Sequence, residues 1–260
     1  MRTSGEALIS HQRRRIAEFR RRLKHGARSF FPRKRWSKTE HLLAGSHPIS
    51  RLSLLGSKFV AESLLPRAGH WPYPPGELQL MTVVMLWRQP DVIFEWGTNL
   101  GNSARIFHWI AEAFEIDTEI HSIDLPPETS HVQNIRELRG VLVRGFSDVH
   151  LHLGDGVNKA LELFAALKPQ RPLFYVDGDH RAEAVTRELE AIRATVPTAP
   201  ILLDDTHDWE IPDSPRPAML QFLERHYGDY EVFENVATLP GMSLLVPKQA
   251  LATTATPPSG

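Results

Sequence analysis

The chain reads DVIFEWGTNLGNS over residues 91–103, and this stretch decides the fold. The apolar run between Asp91 and Gly97 predicts a strand that is buried on both faces. Gly97 and Gly101 bracket a tight turn, and the following residues place apolar side chains at helical spacing. A strand, a glycine turn and a helix can form a ligand crevice, because glycine admits a close ligand and the helix presents free N–H groups. The glycine spacing is not G-x-G-x-x-G, so a dinucleotide pyrophosphate site is not favoured.

Strands and helices alternate from residue 91 onward, which predicts a sheet with crossover helices. The predicted strands span residues 91–95, 119–123, 149–153, 172–176, 200–203, 230–234 and 242–246. The predicted helices span residues 102–115, 131–139, 156–167, 181–195 and 215–227. The connection between the last two strands is too short for a helix, so we expect a hairpin whose last strand is antiparallel to its neighbours.

The charge of the chain is unevenly distributed. The 260 residues carry a formal net charge of -1, yet residues 1–38 hold 13 Lys and Arg and two acids. This basic arm suits an anionic membrane surface, RNA or an anionic substrate, or else it is a solvated extension or an oligomer contact. The overall balance does not indicate a specific nucleic-acid binder. The absence of cysteine excludes disulfides, thiolate metal sites and a cysteine nucleophile.

The predicted organisation is a basic arm (1–38), a helical cap or connector (39–90), an α/β domain (91–247) and a disordered tail (248–260). An aromatic and proline loop at 70–76 either covers a ligand or is a packed connector. No apolar run reaches the roughly 20 residues that cross a bilayer. We therefore expect a cytoplasmic protein, with the arm as its contact with any membrane surface. Edge packing by residues 1–90 is compatible with a homodimer.

Acidic residues follow successive predicted strands, at the sheet edge where open α/β sheets bind ligands. Asp124 lies ~27 residues beyond the glycine turn, a spacing typical of a carboxylate that binds both ribose hydroxyls. Its alternatives are a loop acid or a helix cap. Asp155 is placed either beside an adenine amino group or at the N-cap of the next helix.

Two further strand ends carry the densest acidic cluster. VDGDH (176–180) delivers Asp177 and His180, and LLDDTHD (202–208) delivers Asp204 and Asp205. Carboxylate oxygens suit Mg²⁺, and so much acid in one crevice is costly unless a cation or protons neutralise it. The alternative is a capped turn followed by a solvated acidic loop. Three more residues compete for roles here, namely Asp179 as a ligand, His207 as a base and Asp208 as an orienting carboxylate.

These motifs resemble a known enzyme family. The pattern E-x-G-x-x-x-G at 95–101 resembles motif I of class I methyltransferases that depend on S-adenosylmethionine (SAM). VDGDH followed by ILLDDT resembles the group of cephalosporin-cluster proteins and macrolide-sugar O-methyltransferases, over about residues 77–247. The resemblance implies a Rossmann-like, mostly parallel seven-stranded sheet with an antiparallel last strand, helices on both faces and an N-terminal helical extension.

The resemblance also implies a site and a reaction. It implies methyl transfer from SAM to a hydroxyl of a small molecule or sugar, assisted by Mg²⁺ at Asp177, Asp204 and Asp205, with His180 as general base. Many relatives have His-Asp or Glu-Asp in place of Asp204-Asp205, so the metal ligands stay open. The implied cofactor residues are Glu95, Gly97, Thr98, Asn99, Gly101, Ser103, Asp124, Asp155 and Asp177.

Two rival functions are compatible with the same sequence. The first is a non-catalytic SAM-binding or membrane-associated scaffold in which the basic arm is the functional part. The second is a different metal-dependent enzyme on the same fold, which the lack of an evident two-His-one-carboxylate triad weakens. His121, His150 and His152 are expected to be packing or surface residues. Trp96 is expected either beside the cofactor or in the core.

Overall fold

The computed structural model describes residues 51–68, 72–129, 136–207, 213–235 and 239–253. The chain divides into two units, Met1–Ser50 and Arg51–Gly260, and every described residue belongs to the second. The basic arm (1–38) therefore lies outside the described residues. Its proposed membrane contact and the homodimer remain predictions.

Within the described residues, seven strands form one sheet in the order β3-β2-β1-β4-β5-β7-β6. Neighbours among β1 to β5 pair in parallel, and β7 pairs antiparallel with both β5 and β6. The predicted sheet with an antiparallel last strand is thus confirmed. The strands are β1 (Val92–Trp96), β2 (Glu119–Asp124), β3 (Val149–Leu153), β4 (Pro172–Val176), β5 (Ile201–Leu203), β6 (Tyr230–Asn235) and β7 (Met242–Pro247).

Helices surround this sheet, and most follow the predicted ranges. They are α1 (Arg51–Phe59), a π-helical segment (Val60–Leu64), α2 (Leu65–Ala68), α3 (Pro75–Arg88), α4 (Asn102–Phe114), α5 (Gly156–Leu167), α6 (Ala182–Thr195), α7 (Pro215–Arg225) and α8 (Lys248–Thr253). No helix among the described residues is long and apolar enough to cross a membrane.

Two predictions about helical content fail. In the predicted helix 131–139, the described part contains only a 3-10 turn at Arg136–Leu138, and residues 130–135 lie outside the described residues. Leu138 is 55% exposed, so this turn has no apolar face to pack. The tail was expected to be disordered from residue 248, but α8 forms at its start. The Lys248 N–H donates to the Asp229 carbonyl at 2.9 Å, and Ala250 is buried.

Side chains of β1 point alternately into two apolar clusters, one on each face of the sheet. Ile93 packs with side chains of α3 and α4, whereas Phe94 packs with side chains of α5, α6 and α7. Coverage of both faces explains why β1 is apolar throughout. The chain adds β2 and β3 on one side of β1 and β4 on the other, so the order reverses between β1 and β4. Open α/β sheets bind ligands at such a reversal, beyond the strand carboxyl ends.

Candidate active site

The glycine turn after β1 touches the turn after β4. Gly97 and Gly101 have positive φ angles of 93° and 90°. A Cβ atom at Gly97 would lie 1.9 Å from the Asp177 carbonyl oxygen, and one at Gly101 would lie 3.0 Å from a methyl group of Val143. Only glycine fits at Gly97, on grounds of both backbone conformation and space. The predicted tight turn is therefore present and closes directly against β4.

Below this turn, Glu95 is buried in a network of hydroxyl groups. Ser122 Oγ donates to Glu95 Oε1 at 2.5 Å, and Thr98 Oγ1 lies 2.7 Å from Ser122 Oγ. Burial raises the pKa of Glu95 to about 7, and hydrogen bonds from Ser122 and Ser103 offset part of that rise. Glu95, Thr98 and Ser103 thus support the turn from the interior, while their contact with a cofactor remains a prediction.

The buried Glu95 predicts a pH-dependent stability. Its folded-state pKa of about 7 exceeds the ordinary glutamate pKa of 4.5, so the folded chain binds the proton more tightly than the unfolded chain. The stabilising contribution of the protonated carboxyl is present below pH ~4.5 and is lost as pH rises to about 7, with an upper limit of about 3 kcal/mol. In the wild type we expect the free energy of unfolding, measured by urea denaturation, to fall between pH 5 and 7. In Glu95→Gln we expect a smaller fall over the same range. The exposed Glu128→Gln is the control, and equal slopes in the two variants would contradict the expectation.

Asp124 ends β2 beside the glycine turn, as predicted. Its carboxylate accepts hydrogen bonds from the N–H groups of Asn99 (3.2 Å) and Leu125 (2.8 Å), and Arg139 Nε donates to it at 3.1 Å. The two amides fix the carboxylate at the crevice. Arg139, which sequence reasoning missed, holds the anion through an ion pair. Binding of a diol to Asp124 would have to share or replace this contact.

Asp155 forms the N-cap of α5, one of its two predicted roles. Its Oδ1 accepts from the Asn158 N–H at 3.3 Å, and its Oδ2 accepts from Arg187 at 3.1 Å. A contact with adenine remains a prediction. Trp96 is buried in the core, where Gly156 and Gly178 leave room for its ring, since a Cβ at either would lie within 2.6 Å of it.

Asp177 and Asp204, at the ends of β4 and β5, share a tyrosine. Tyr175 Oη donates to Asp204 Oδ2 at 3.0 Å and lies 3.3 Å from Asp177 Oδ2. Burial and the neighbouring Asp177 carboxylate raise the pKa of Asp204 well above its usual range. Asp204 Oδ1 is buried and accepts no hydrogen bond from the described residues. The acidic cluster therefore contains one carboxylate oxygen, Asp204 Oδ1, without a hydrogen-bond partner among the described residues. Its negative charge is costly unless protons or a cation neutralise it.

His180 lies between two of the predicted metal ligands. Its Nδ1 is 2.7 Å from Asp205 Oδ2, and its Nε2 is 3.4 Å from Asp177 Oδ1. Burial lowers the pKa of His180, but hydrogen bonds and charge from Asp177 and Asp205 outweigh it and raise the pKa to about 11. In the absence of other cations, the imidazolium neutralises part of the cluster.

The segment before β1 supplies two site residues that the sequence did not single out. Tyr73 Oη donates to Asp177 Oδ2 at 3.0 Å. Glu77, in the first turn of α3, is buried and accepts the Gly241 N–H at 2.9 Å. Burial raises the pKa of Glu77 to about 7, and Asp205 and Asp177 add to the rise. The only sequence signal was the position of both residues in and after the aromatic and proline loop.

Asp179, the alternative ligand, and His207, the alternative base, each have polar partners of their own. Asp179 forms a bidentate pair with Arg181, with Nε–O distances of 3.0 Å. His207 Nδ1 lies 3.1 Å from Thr206 Oγ1, and its Nε2 lies 3.4 Å from Glu234 Oε1. Asp208 lies outside the described residues.

The donor chemistry of the acidic cluster fits Mg²⁺. It offers several carboxylates from two strand ends, an unpartnered oxygen of Asp204 and an excess of negative charge. His180 and Tyr175 lie between the carboxylates, so ligand atoms of Asp177, Asp204 and Asp205 are not gathered around one point. Among the described residues, the one group of three metal-ligating side chains with atoms within 4.8 Å is Glu119, His121 and His150, on β2 and β3. That group is a separate site and not the predicted magnesium site.

Comparison with known proteins gives the family. Residues 94–206, from β1 to just beyond β5, match the sequence profile of a family described as a methyltransferase domain. This match includes the glycine turn, Asp124 and the two acidic strand ends, on a sheet with the predicted antiparallel last strand. Residues 94–206 therefore match a methyltransferase domain. No curated protein gave a significant match to the sequence of the chain.

Solved structures similar to this chain are distant in sequence. A methyltransferase of Podospora anserina bound to S-adenosylhomocysteine (SAH) is 17% identical, with 80% of this chain and 93% of that chain covered and a TM-score of 0.47. The O-methyltransferase TomG of Streptomyces achromogenes, involved in tomaymycin synthesis and bound to SAM, is 19% identical, with 80% and 94% covered and a TM-score of 0.41. An O-methyltransferase of Bacillus cereus in complex with SAH is 16% identical, with 80% and 96% covered and a TM-score of 0.42.

Proposed function

We propose that this methyltransferase transfers the methyl group of SAM to a hydroxyl of a small molecule or sugar, with Mg²⁺ held by Asp177, Asp204 and Asp205. His180 is the proposed general base. The observation that carries the proposal is the position of His180, which bridges Asp177 and Asp205 at the sheet edge where the glycine turn meets β4.

The cofactor half of the proposal rests on the turn and on Asp124. Gly97 and Gly101 keep side chains out of the crevice, and α4 begins directly after Gly101 with its N–H groups facing that side. Asp124 is fixed by two backbone amides, which suits a carboxylate that binds the two ribose hydroxyls. SAM would supply an electrophilic methyl group that needs no activation by the protein.

The acceptor half rests on proton transfer. Methylation of a hydroxyl forms an O–C bond, breaks the S–C bond of the sulfonium and releases one proton. A neutral imidazole can take that proton, but His180 has a pKa of about 11 and is already protonated at neutral pH. Mg²⁺, when bound by the three aspartates, would offset their charge and lower the pKa of a coordinated hydroxyl. Neutral His180 then accepts the acceptor proton at a ring nitrogen.

Tyr73 and Glu77 complete the acceptor side. Tyr73 Oη donates a hydrogen bond to Asp177. The carboxylates of Asp177 and Asp205 lie close enough to Glu77 to raise its pKa. Both residues reach the cluster from the segment before β1. The proposed acceptor therefore binds between this segment and the strand ends, where a hydroxyl would meet His180.

A turnover assay tests the proposal. Conversion of SAM to SAH is measured with a panel of phenolic and sugar hydroxyl acceptors, with Mg²⁺ and with EDTA. We expect acceptor-dependent SAH formation that falls at least tenfold in EDTA. Thiol and amine analogues of the best acceptor are the controls for the methylated atom. Turnover of the analogues but not of the hydroxyl compounds would contradict O-methylation, and equal rates in EDTA would contradict the role of Mg²⁺.

A further inference from the structure

A second polar cluster lies on β2 and β3, at the edge of the sheet. The parallel register places His121 opposite His150 and Ile123 opposite His152. Because side chains alternate along a strand, Glu119 and His121 share one face of β2, and His150 and His152 share the adjoining face of β3. We define these four residues as the β2–β3 cluster.

The four side chains of the β2–β3 cluster are in contact. His121 Nδ1 lies 2.9 Å from His152 Nε2, and His121 Nε2 lies 3.4 Å from Glu119 Oε2. The His121 ring stacks on His150 with centroids 4.9 Å apart. One ligand atom from each of Glu119, His121 and His150 falls within 4.8 Å of the others. Two ligands of a tetrahedral ion at bond lengths of ~2.0–2.1 Å stand about 3.4 Å apart, which matches the separation of His121 Nε2 and Glu119 Oε2.

The hydrogen bond between two of the histidines also suits metal binding. His121 uses one nitrogen toward His152, which leaves the other for a metal. Ligating histidines commonly hold their second nitrogen in a hydrogen bond of this kind. Lys159, whose charge acts on His152, pairs with Glu162 at 2.7 Å and its repulsion of a cation is thereby reduced.

We propose that Glu119, His121 and His150, whose ligand atoms lie within 4.8 Å of one another, bind one divalent transition-metal ion such as Zn²⁺, with His152 orienting His121 through its hydrogen bond. Imidazole ligands favour zinc, nickel or copper over Mg²⁺, which prefers oxygen. Glu119 is exposed, so water can complete the coordination. The site lies away from the strand carboxyl ends, because Glu119 begins β2 whereas Asp124 ends it. The ion would cross-link the edge strand β3 to β2.

Zinc binding to the full chain tests this proposal. Affinity is measured by competition with a chromophoric chelator, and thermal unfolding is followed with and without Zn²⁺. We expect Zn²⁺ to raise the unfolding temperature of the wild type. Glu119→Gln and His150→Gln should each weaken Zn²⁺ binding at least tenfold and remove most of that shift.

Two control variants separate this site from others on the chain. Glu224→Gln removes an equivalent charge from an exposed position on α7, and Asp205→Asn alters the acidic cluster. Both should bind Zn²⁺ within twofold of the wild type. The proposal is overturned if the wild type binds no Zn²⁺, or if Glu119→Gln and His150→Gln bind it as tightly as the wild type. Glu119 is exposed, so its variant retains the fold, which the unfolding curve without metal verifies.

Discussion

Gly97→Ala is expected to abolish SAH binding and to lower the free energy of unfolding by roughly 3–5 kcal/mol. The alanine must adopt a φ near 93°, and its Cβ would stand 1.9 Å from the Asp177 carbonyl oxygen. The obstacle is backbone, so rotation of a side chain cannot relieve the collision. The turn must move away from β4, which displaces the cofactor crevice. Calorimetric titration with SAH and urea denaturation measure the two effects.

Gly145→Ala provides a matched control for backbone strain. Gly145 has the same φ of 93°, but a Cβ there would meet no atom within 4 Å. We expect a cost of about 1 kcal/mol and unchanged SAH affinity. The difference in the free energy of unfolding between the two variants therefore measures the cost of the collision with the Asp177 carbonyl oxygen. If Gly97→Ala cost no more than Gly145→Ala, the contact between the turn and β4 would not constrain the site.

His180→Gln should reduce the rate of methyl transfer by about 10²–10⁴-fold, the usual contribution of a general base. SAH affinity should change little, because His180 contacts the acidic cluster and not Asp124 or the glycine turn. The dependence of the rate on pH should change as well, since the wild-type rate falls when His180 is protonated. A structural role alone would not move that pH profile.

His207→Gln is the matched comparison for the choice of base. His207 contacts Thr206 and Glu234 on the side of β6 and β7, and burial lowers its pKa. We expect a loss of rate below tenfold once thermal unfolding shows that the variant is folded. A large loss in His207→Gln together with a small one in His180→Gln would reverse the assignment.

The elements of the α/β domain were predictable because each depends on local pattern. Apolar runs bounded by Gly, Pro or Asp gave every strand to within a residue or two, and the short loop before β7 gave the antiparallel end. The placement of Asp124 and Asp177 at the carboxyl edge followed from the same reading. The segment around Arg136–Leu138 was mispredicted because helical spacing without a buried face does not sustain a helix.

Contacts between residues far apart in sequence could not be predicted from the sequence. Arg139 pairs with Asp124, and Glu77 meets Gly241 across 164 positions of sequence. No local pattern encodes such a pairing. The β2–β3 cluster shows the same limit: His121 and His150 read separately as packing or surface residues, and only the strand register brings them together. The two-His-one-carboxylate group that seemed absent was present but dispersed along the chain.

The bond between Glu77 and Gly241 joins the helix that precedes the sheet to the loop that leads into its last strand. This bond and the hydrogen bond from Tyr73 to Asp177 bring further segments of the chain to the acidic cluster. These segments lie outside the stretch that carries the glycine turn and Asp124. Under the proposed function, donor and acceptor recognition would be encoded in separate parts of the gene. Substitutions at Tyr73 or Glu77 would then change which molecule is methylated while the methyl donor stays the same, which would give this architecture a route to new substrates.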